Sequence, residues 1–402
     1  MYTNLKKLLI LLVFGVVAAC DAGSDNAALN QPQQIAQNNI IIDTHIDVPY
    51  RLFDEMEDVS MATDKGDFDY PRALKGGLNG AFMSVYIPAA MEGEGTATAH
   101  ADVLIDLVEN IVSGAPNKFA LAYSVAAIRD NFSKGLISLP MGMENGAPIA
   151  GDLDVLKHFY DRGIRYITLT HSKANHISDS SYDEERLWSG LSPFGESVVK
   201  AMNDLGILVD ISHVSDEAFW DVMEVSRTPV IASHSSARHF TEGFERNMSD
   251  EMIVALADGG GVIQINYGSA FLTEQANAYG PKRREAYDQY IEENGLDKND
   301  KNKADFELVF EAEFGAYPFA SLDETLDHFD HVVKIAGIDH VGIGSDYDGV
   351  GDSLPVGLKD VASYPNLVAG LLGRGYSEAD IIKVLGENIL RVWTEVEAAA
   401  IS

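Results

Sequence analysis

The chain has 402 residues, 46% of them hydrophobic and 23% charged, with 62 acidic against 29 basic residues and a formal charge of -33. This is a globular composition with ample apolar material for a large core. The acidity excludes nucleic acid as a partner, because it repels phosphate backbones, and it argues against adsorption to anionic lipid.

The first segment, MYTNLKKLLILLVFGVVAAC, carries Lys6 and Lys7 and then an apolar run from Leu8 to Ala19. The run is too short to span a bilayer and has the form of a secretory signal, predicted over residues 1–19. It ends in Val17-Ala18-Ala19-Cys20, which resembles a bacterial lipoprotein box. The resemblance implies cleavage before Cys20 and a lipid on its sulfur. The protein is then expected to be membrane-anchored in the cell envelope, facing the periplasm. An ordinary signal with a chance cysteine is the alternative. Cys20 is the only cysteine, so no intramolecular disulfide can form. Residues 20–38 are small and polar and are expected to be a flexible tether. Residues 39–402 are then a single domain.

From residue 39 onward, short apolar runs alternate with helix-like segments, the mark of a parallel sheet. Eight strands are predicted, near 39–45, 80–88, 136–145, 164–171, 207–214, 229–235, 261–267 and 340–348. Helices are predicted over 97–113, 152–162, 193–205, 215–226, 249–258, 320–336 and in the terminal region 376–397. Gly163 and Gly206 each precede a strand and suit helix C-caps. Two long stretches, 172–192 and 268–319, follow the fourth and seventh strands. The second is an insertion expected to be partly helical, either a lid or a solvated excursion.

Nearly every strand ends on a residue capable of chemistry: His45 and Asp47, Glu144, His171, His213, His234, Asn266 and Asp346. In an open sheet these would spread along an edge. In a (β/α)8 barrel they converge on one mouth, and the barrel is therefore the expected fold. One histidine at a strand end is usually just hydrogen-bonded. Four of them, with strand-end carboxylates and no nearby cysteine, point to zinc or a similar divalent ion in a catalytic site.

His45 and Asp47 stand at i and i+2, which puts both on one side of an extended segment. His213 and His234 close consecutive strands, each preceded by serine. Glu144, in the glycine-flanked MGMENG, could bridge two ions through its two oxygens, and a hydroxide between the ions would be a strong nucleophile. Asp346, in GIGSDYDGV, is the candidate to move the proton, with Asp348 the competing residue. His171 is a candidate to polarise a substrate carbonyl, or else a hydrogen-bonding neighbour of the centre. Arg246 is either a surface residue or a guanidinium that holds a carboxylate. His100, His158, His176, His239, His328, His331 and His340 receive no assignment.

In family order and spacing, DTHIDVPYRL, GMENG, GIRYITLTHS, GLSPFGESVVKAMNDLGILVDISHVS, PVIASHSSAR, ERNMSD and GIGSDYDGV resemble the membrane (renal) dipeptidases, zinc metallopeptidases within the amidohydrolase-like barrels. The match covers about residues 39–397. It implies two Zn2+ per chain: His45 and Asp47 on one, His213 and His234 on the other, and Glu144 bridging. It also implies a dipeptide substrate, with a D-residue tolerated at its C-terminal position. His171 then contacts the scissile carbonyl, Arg246 binds the substrate carboxylate and Asp346 is the acid/base. Tyr267 is the candidate for a family tyrosine that helps bind that carboxylate. A homodimer is possible. Lys173 stands where animal relatives carry a cysteine, and the 268–319 insertion is longer than theirs. Two other readings remain. One is a different amidohydrolase-type metal hydrolase (deaminase, lactonase or phosphotriesterase). The other is a catalytically silent solute-binding barrel.

Overall fold

The computed structural model describes residues 30–401; the signal segment, Cys20 and the tether up to residue 29 lie outside them. Its strands are β1 (Ile41–Ile46), β2 (Leu78–Tyr86), β3 (Phe119–Leu121), β4 (Ile137–Leu139), β5 (Met141–Glu144), β6 (Ile164–Thr168), β7 (Leu208–Asp210), β8 (Ile231–Ala232), β9 (Val262–Ile265) and β10 (Val341–Ile343). Their order is β1-β10-β9-β8-β7-β6-β5-β2, and a parallel β1–β2 pairing closes the ring. This is the eight-stranded parallel barrel with surrounding helices that the alternation predicts. The two extra strands, β4 and β3, extend from β2 outside the ring. The single strand expected at 136–145 is divided at Pro140, which has no N–H to donate, while its carbonyl still accepts from Met83 N at 2.8 Å.

The barrel interior is filled from successive strands by Ile42, Phe82, Tyr166, Leu208, Ile231 and Val262. Leu390, Trp393 and Val396 of the terminal helix Asn388–Ala399 pack against this layer. Tyr166 fits because β5 offers no side chain opposite it. A Cβ on Gly142 would lie 1.9 Å from the Tyr166 ring. A larger apolar cluster joins the outer strand faces to the helices. The helices start where the sequence places caps: Ser192, Ser215, Ser249 and Ser321 each accept a backbone N–H, about 1 kcal/mol apiece. Gly206, at φ 77, closes the helix Pro193–Leu205 in the left-handed region that an L-residue adopts only with strain.

Two expectations need correction. The tether is not irregular throughout, because Gln31–Asn38 is a helix. Asn30 caps it, Ile35 and Ala36 are buried, and Gln33 and Gln37 side chains donate to the Lys75 and Leu74 carbonyls. Its polar composition hid two apolar residues at the spacing that docks one face. The second correction concerns strand ends. β7, β8 and β10 stop two or three residues before His213, His234 and Asp346. These ligand-type residues sit in the turns beyond the ladder, where His213 and Asp346 hold φ of 72 and 63.

The insertion contains the helices Glu274–Asn294 and Asp300–Phe314, joined by the rings of Tyr287 and Tyr290 on Phe306 and of Tyr279 on Phe310. Among the described residues no helix is long and apolar enough to cross a membrane.

Candidate metal centre

At the barrel mouth, side chains from separate strand ends converge. His45 comes from β1. Continued alternation from Ile42 would send it to the outer face with Ile41 and Asp43. A register shift against β2 between Asp43 and Ile46 turns it inward. Its ring then stacks on His234 at 3.7 Å. Asp47 lies beyond the strand, as N-cap residue of the helix Val48–Asp54. The two side chains still meet, with His45 Nε2 3.4 Å from Asp47 Oδ2. That meeting depends on the turn rather than on strand alternation.

Glu144 stands between two groups of ligands. Its Oε2 is 3.4 Å from His45 Nε2. Its Oε1 is 3.1 Å from His213 Nε2 and 3.4 Å from His234 Nε2. His213 Nε2 and His234 Nε2 are 2.9 Å apart. Two ligand atoms on one tetrahedral zinc are about 3.3 Å apart, given bonds of about 2.0–2.1 Å. The contacts of His45 with Asp47 and Glu144 Oε2, and of Glu144 Oε1 with His213 and His234, are 3.1–3.4 Å and so lie near that spacing.

The electrostatics fit the same occupant. Burial, and then the Arg246 and His171 charges beside it, hold His213 well below the ordinary imidazole range. Burial, His45 and Arg246 do the same to His234. Both are therefore neutral, and their Nε2 atoms lie 2.9 Å apart, close enough to face one cation. Burial alone would lower His45, but Tyr166, Glu144 and Asp47 outweigh it and favour a positive charge there. Burial would raise the Glu144 carboxyl, and the imidazoles of His45 and His171 hold it well below its usual range instead. His45 Nε2 has no hydrogen-bond partner although buried. The residues present fit a divalent-metal centre.

Surrounding groups fix the rings. Tyr166 OH lies 2.8 Å from His45 Nδ1. Ser233 Oγ lies 2.8 Å from His234 Nδ1 and donates to Asp210 Oδ2 at 2.6 Å. A proton on each Nδ1 leaves each Nε2 free for a metal. Sequence reasoning missed Tyr166, Ser233 and Asp210. The available signals were Gly142 facing Tyr166 and the serine preceding His234.

Asp346 is buried at the mouth, with Oδ2 accepting from Asn266 Nδ2 at 2.7 Å. Burial drives its carboxyl up to about 7; His45 opposes the shift, while Asp47 and Glu144 add to it. A Cβ on Gly349 would lie 2.2 Å from both Asp346 Oδ1 and Asp47 Oδ2, so the backbone there packs directly on the two carboxylates. His171 Nε2 is 3.5 Å from Glu144 Oε1, and its ring lies beside His213 at 4.3 Å. Arg246 is almost fully buried; it donates to Ser235 Oγ at 2.6 Å and the His234 carbonyl at 2.9 Å, leaving Nε unpaired.

These residues open onto a cavity of about 590 Å³ lined by Asp47, Glu144, His171, His213 and Asp346, with Tyr50, Tyr86, Tyr182, Phe271 and Val350 as its apolar wall. Arg246 stands next to this lining, its guanidinium 5.3 Å from the ring of Phe271. Tyr267 is fully buried against Tyr347 at 5.9 Å, outside the cavity lining. Asp348 is turned toward Arg51 Nε at 3.0 Å, which ties the two loops carrying Asp47 and Asp346 together. Tyr182, which sequence reasoning did not single out, faces His213 at 5.8 Å.

The family model described as membrane dipeptidase (peptidase family M19) matches residues 29–402. A dipeptidase of Aspergillus oryzae is 34% identical over 342 residues, covering 83% of this chain and 71% of that protein. An uncharacterized dipeptidase of Schizosaccharomyces pombe is 30% identical, covering 89% and 81%. Among solved structures, a probable dipeptidase from Pseudomonas aeruginosa is 28% identical with a TM-score of 0.76, covering 92% of this chain and 98% of that one. A metallopeptidase from Rhodobacter sphaeroides, solved with a phosphinate mimic of L-Ala-D-Ala, shares the fold at 24% identity and a TM-score of 0.73, covering 89% and 99%.

Proposed function

Because the chain belongs to the membrane dipeptidase family and is a dipeptide hydrolase, we propose that it works with two zinc ions and accepts dipeptides ending in a D-residue as well as an L-residue. The observation that carries the two-ion reading is the division of Glu144: one oxygen faces His45 and the other faces His213 and His234. Bound zinc would supply Lewis acidity and a water acidified to near neutrality.

The chain's own residues do the rest. His45, Asp47 and Glu144 would hold one ion, and His213, His234 and Glu144 the other. Asp346, hydrogen-bonded to Asn266, takes the proton of the attacking water and returns it to the leaving amine nitrogen as the peptide bond breaks. His171, on the cavity wall, donates to the oxyanion of the tetrahedral intermediate. Arg246 holds the substrate's free carboxylate, so a longer chain or a terminal amide has no group to offer it. The apolar wall of Tyr50, Tyr86, Phe271 and Val350 receives the side chains. A dipeptide ending in D-Ala is the test substrate, being the type of ligand mimicked in the Rhodobacter sphaeroides protein.

Metal-free protein reloaded with zinc is expected to regain cleavage of dipeptides ending in L- and D-Ala and to leave dipeptide amides intact. Arg246→Ala should lower kcat/KM about a hundredfold or more, the usual cost of removing one partner of a buried charge contact. It should do so mainly through KM, and leave amide cleavage as slow as in the wild type. Activity on lactones or phosphotriesters and none on dipeptides would favour a different amidohydrolase-type reaction. The lipid anchor and its periplasmic setting rest on the sequence ending in Cys20. Cys20→Ser is expected to move the protein from the membrane fraction to the soluble fraction without changing its specific activity. Equal membrane retention would sink the anchor reading.

A further inference from the structure

Away from the mouth, three residues from separate elements form a second cluster. His239 lies in the short 3-10 helix Arg238–Phe240, Asp250 opens the helix Asp250–Asp258, and His331 lies in the helix Leu322–Ala336. One ligand atom from each can be chosen so that all lie within 4.8 Å of one another. The rings of His239 and His331 stack at 4.3 Å, only 15° from parallel. His331 Nε2 is 2.7 Å from Asp250 Oδ1. The neighbouring His328 takes no part, because its Nδ1 accepts from Ala237 N and its Nε2 donates to the Leu272 carbonyl.

We propose that His239, Asp250 and His331 form a third divalent-metal site, separate from the centre at the mouth, that clips the loop carrying Arg246 to the helix Leu322–Ala336. Two imidazoles and one carboxylate select a zinc-like ion such as Zn2+ or Ni2+, because calcium and magnesium need more oxygen ligands than this cluster offers. The ion replaces the proton now held between His331 and Asp250. His239 is exposed, which gives the ion an entry path and leaves the side chain free to rotate the last part of the way.

The position gives the site a consequence. His239 and Asp250 are the two ends of one loop, and Arg246 lies between them. The loop's neck is already closed by hydrogen bonds from Arg238 N to Met248 O at 2.8 Å and from Met248 N to Ser236 O at 2.9 Å. The loop meets the helix Leu322–Ala336 through the His331–Asp250 contact, the His239–His331 stack and the Phe240 ring 4.4 Å from His328. An ion shared by all three residues fixes both ends of the loop to that helix, and with them the segment that presents Arg246.

The test is equilibrium dialysis of the full-length protein, its mouth centre already loaded, against a series of buffered free Zn2+ concentrations, with bound zinc counted per chain. Wild type is expected to bind one equivalent more than His239→Ala, and His331→Ala should lose the same equivalent. His234→Ala should lose zinc from the mouth and keep this equivalent, so the count separates the two sites whatever the occupancy of the mouth. The Tm of wild type should rise over the range where the extra ion binds, and that rise should be absent in His239→Ala. Equal zinc counts in wild type and His239→Ala overturn the proposal, whether both bind the extra ion or neither does. Because His239 is exposed, its replacement leaves the fold intact and the comparison valid.

Discussion

Glu144→Gln is expected to abolish useful dipeptidase activity, with kcat/KM falling by roughly 10⁴-fold or more, and to leave fewer than two metal ions per chain. The estimate combines two costs. An amide keeps the shape and one acceptor oxygen, but it loses the charge that faces both imidazole groups, His45 at 3.4 Å and His213 at 3.1 Å. A metal's Lewis acidity is worth several kcal/mol of transition-state stabilisation, and about 5 kcal/mol is nearly four factors of ten. The loss should therefore appear in both metal content and rate. Elemental analysis and kcat/KM on one dipeptide check it, and melting of the metal-free variant shows whether the fold survives. Full metal content with near-native activity would remove Glu144 from the centre. It would also remove the two-ion reading that rests on it.

Asp346→Asn tests the proton path without disturbing the metals. Asparagine keeps an oxygen that can accept from Asn266 Nδ2, as Oδ2 does at 2.7 Å. It cannot take or return a proton. General acid–base catalysis is worth about 10²–10⁴-fold, so kcat should fall by that amount. KM and the metal count should stay near wild type. A second outcome is informative in a different way, because Asp346 also lies within ligand distance of His45 and Asp47. If the variant loses a metal ion along with activity, Asp346 serves as a ligand rather than as the proton carrier.

Much of this molecule was legible in the chain. The alternation of short apolar runs with helix-like segments predicts an eight-stranded barrel, and the six helices predicted between 97 and 336 start within two residues of their predicted limits, while the helix Val125–Ser133 was missed. That legibility is physical: Ser192, Ser215, Ser249 and Ser321 act on their own helix starts, and caps work over three or four residues. That His45, Glu144, His213 and His234 come to one mouth could also be read, because in a closed parallel barrel every strand ends at the same mouth. The helix Gln31–Asn38 was missed because a polar segment with two buried residues gives almost no periodic signal.

The sequence by itself therefore determined the fold class and the types and order of the residues at the mouth. These depend on local pattern: hydrophobic period, caps and the residue that follows each strand. Tertiary structure alone decided how the residues face one another. The register shift in β1 turns His45 inward, and the turn that carries Asp47 brings it back beside His45. Glu144 divides its oxygens only because β5 stands where both groups of imidazoles can reach it. Tyr166 meets His45 across 121 positions, and His239 finds His331 on a distant helix. No local preference encodes such pairs. They arise when barrel closure and helix packing fix separate segments against each other, and the shape of that closure is a property of the whole chain.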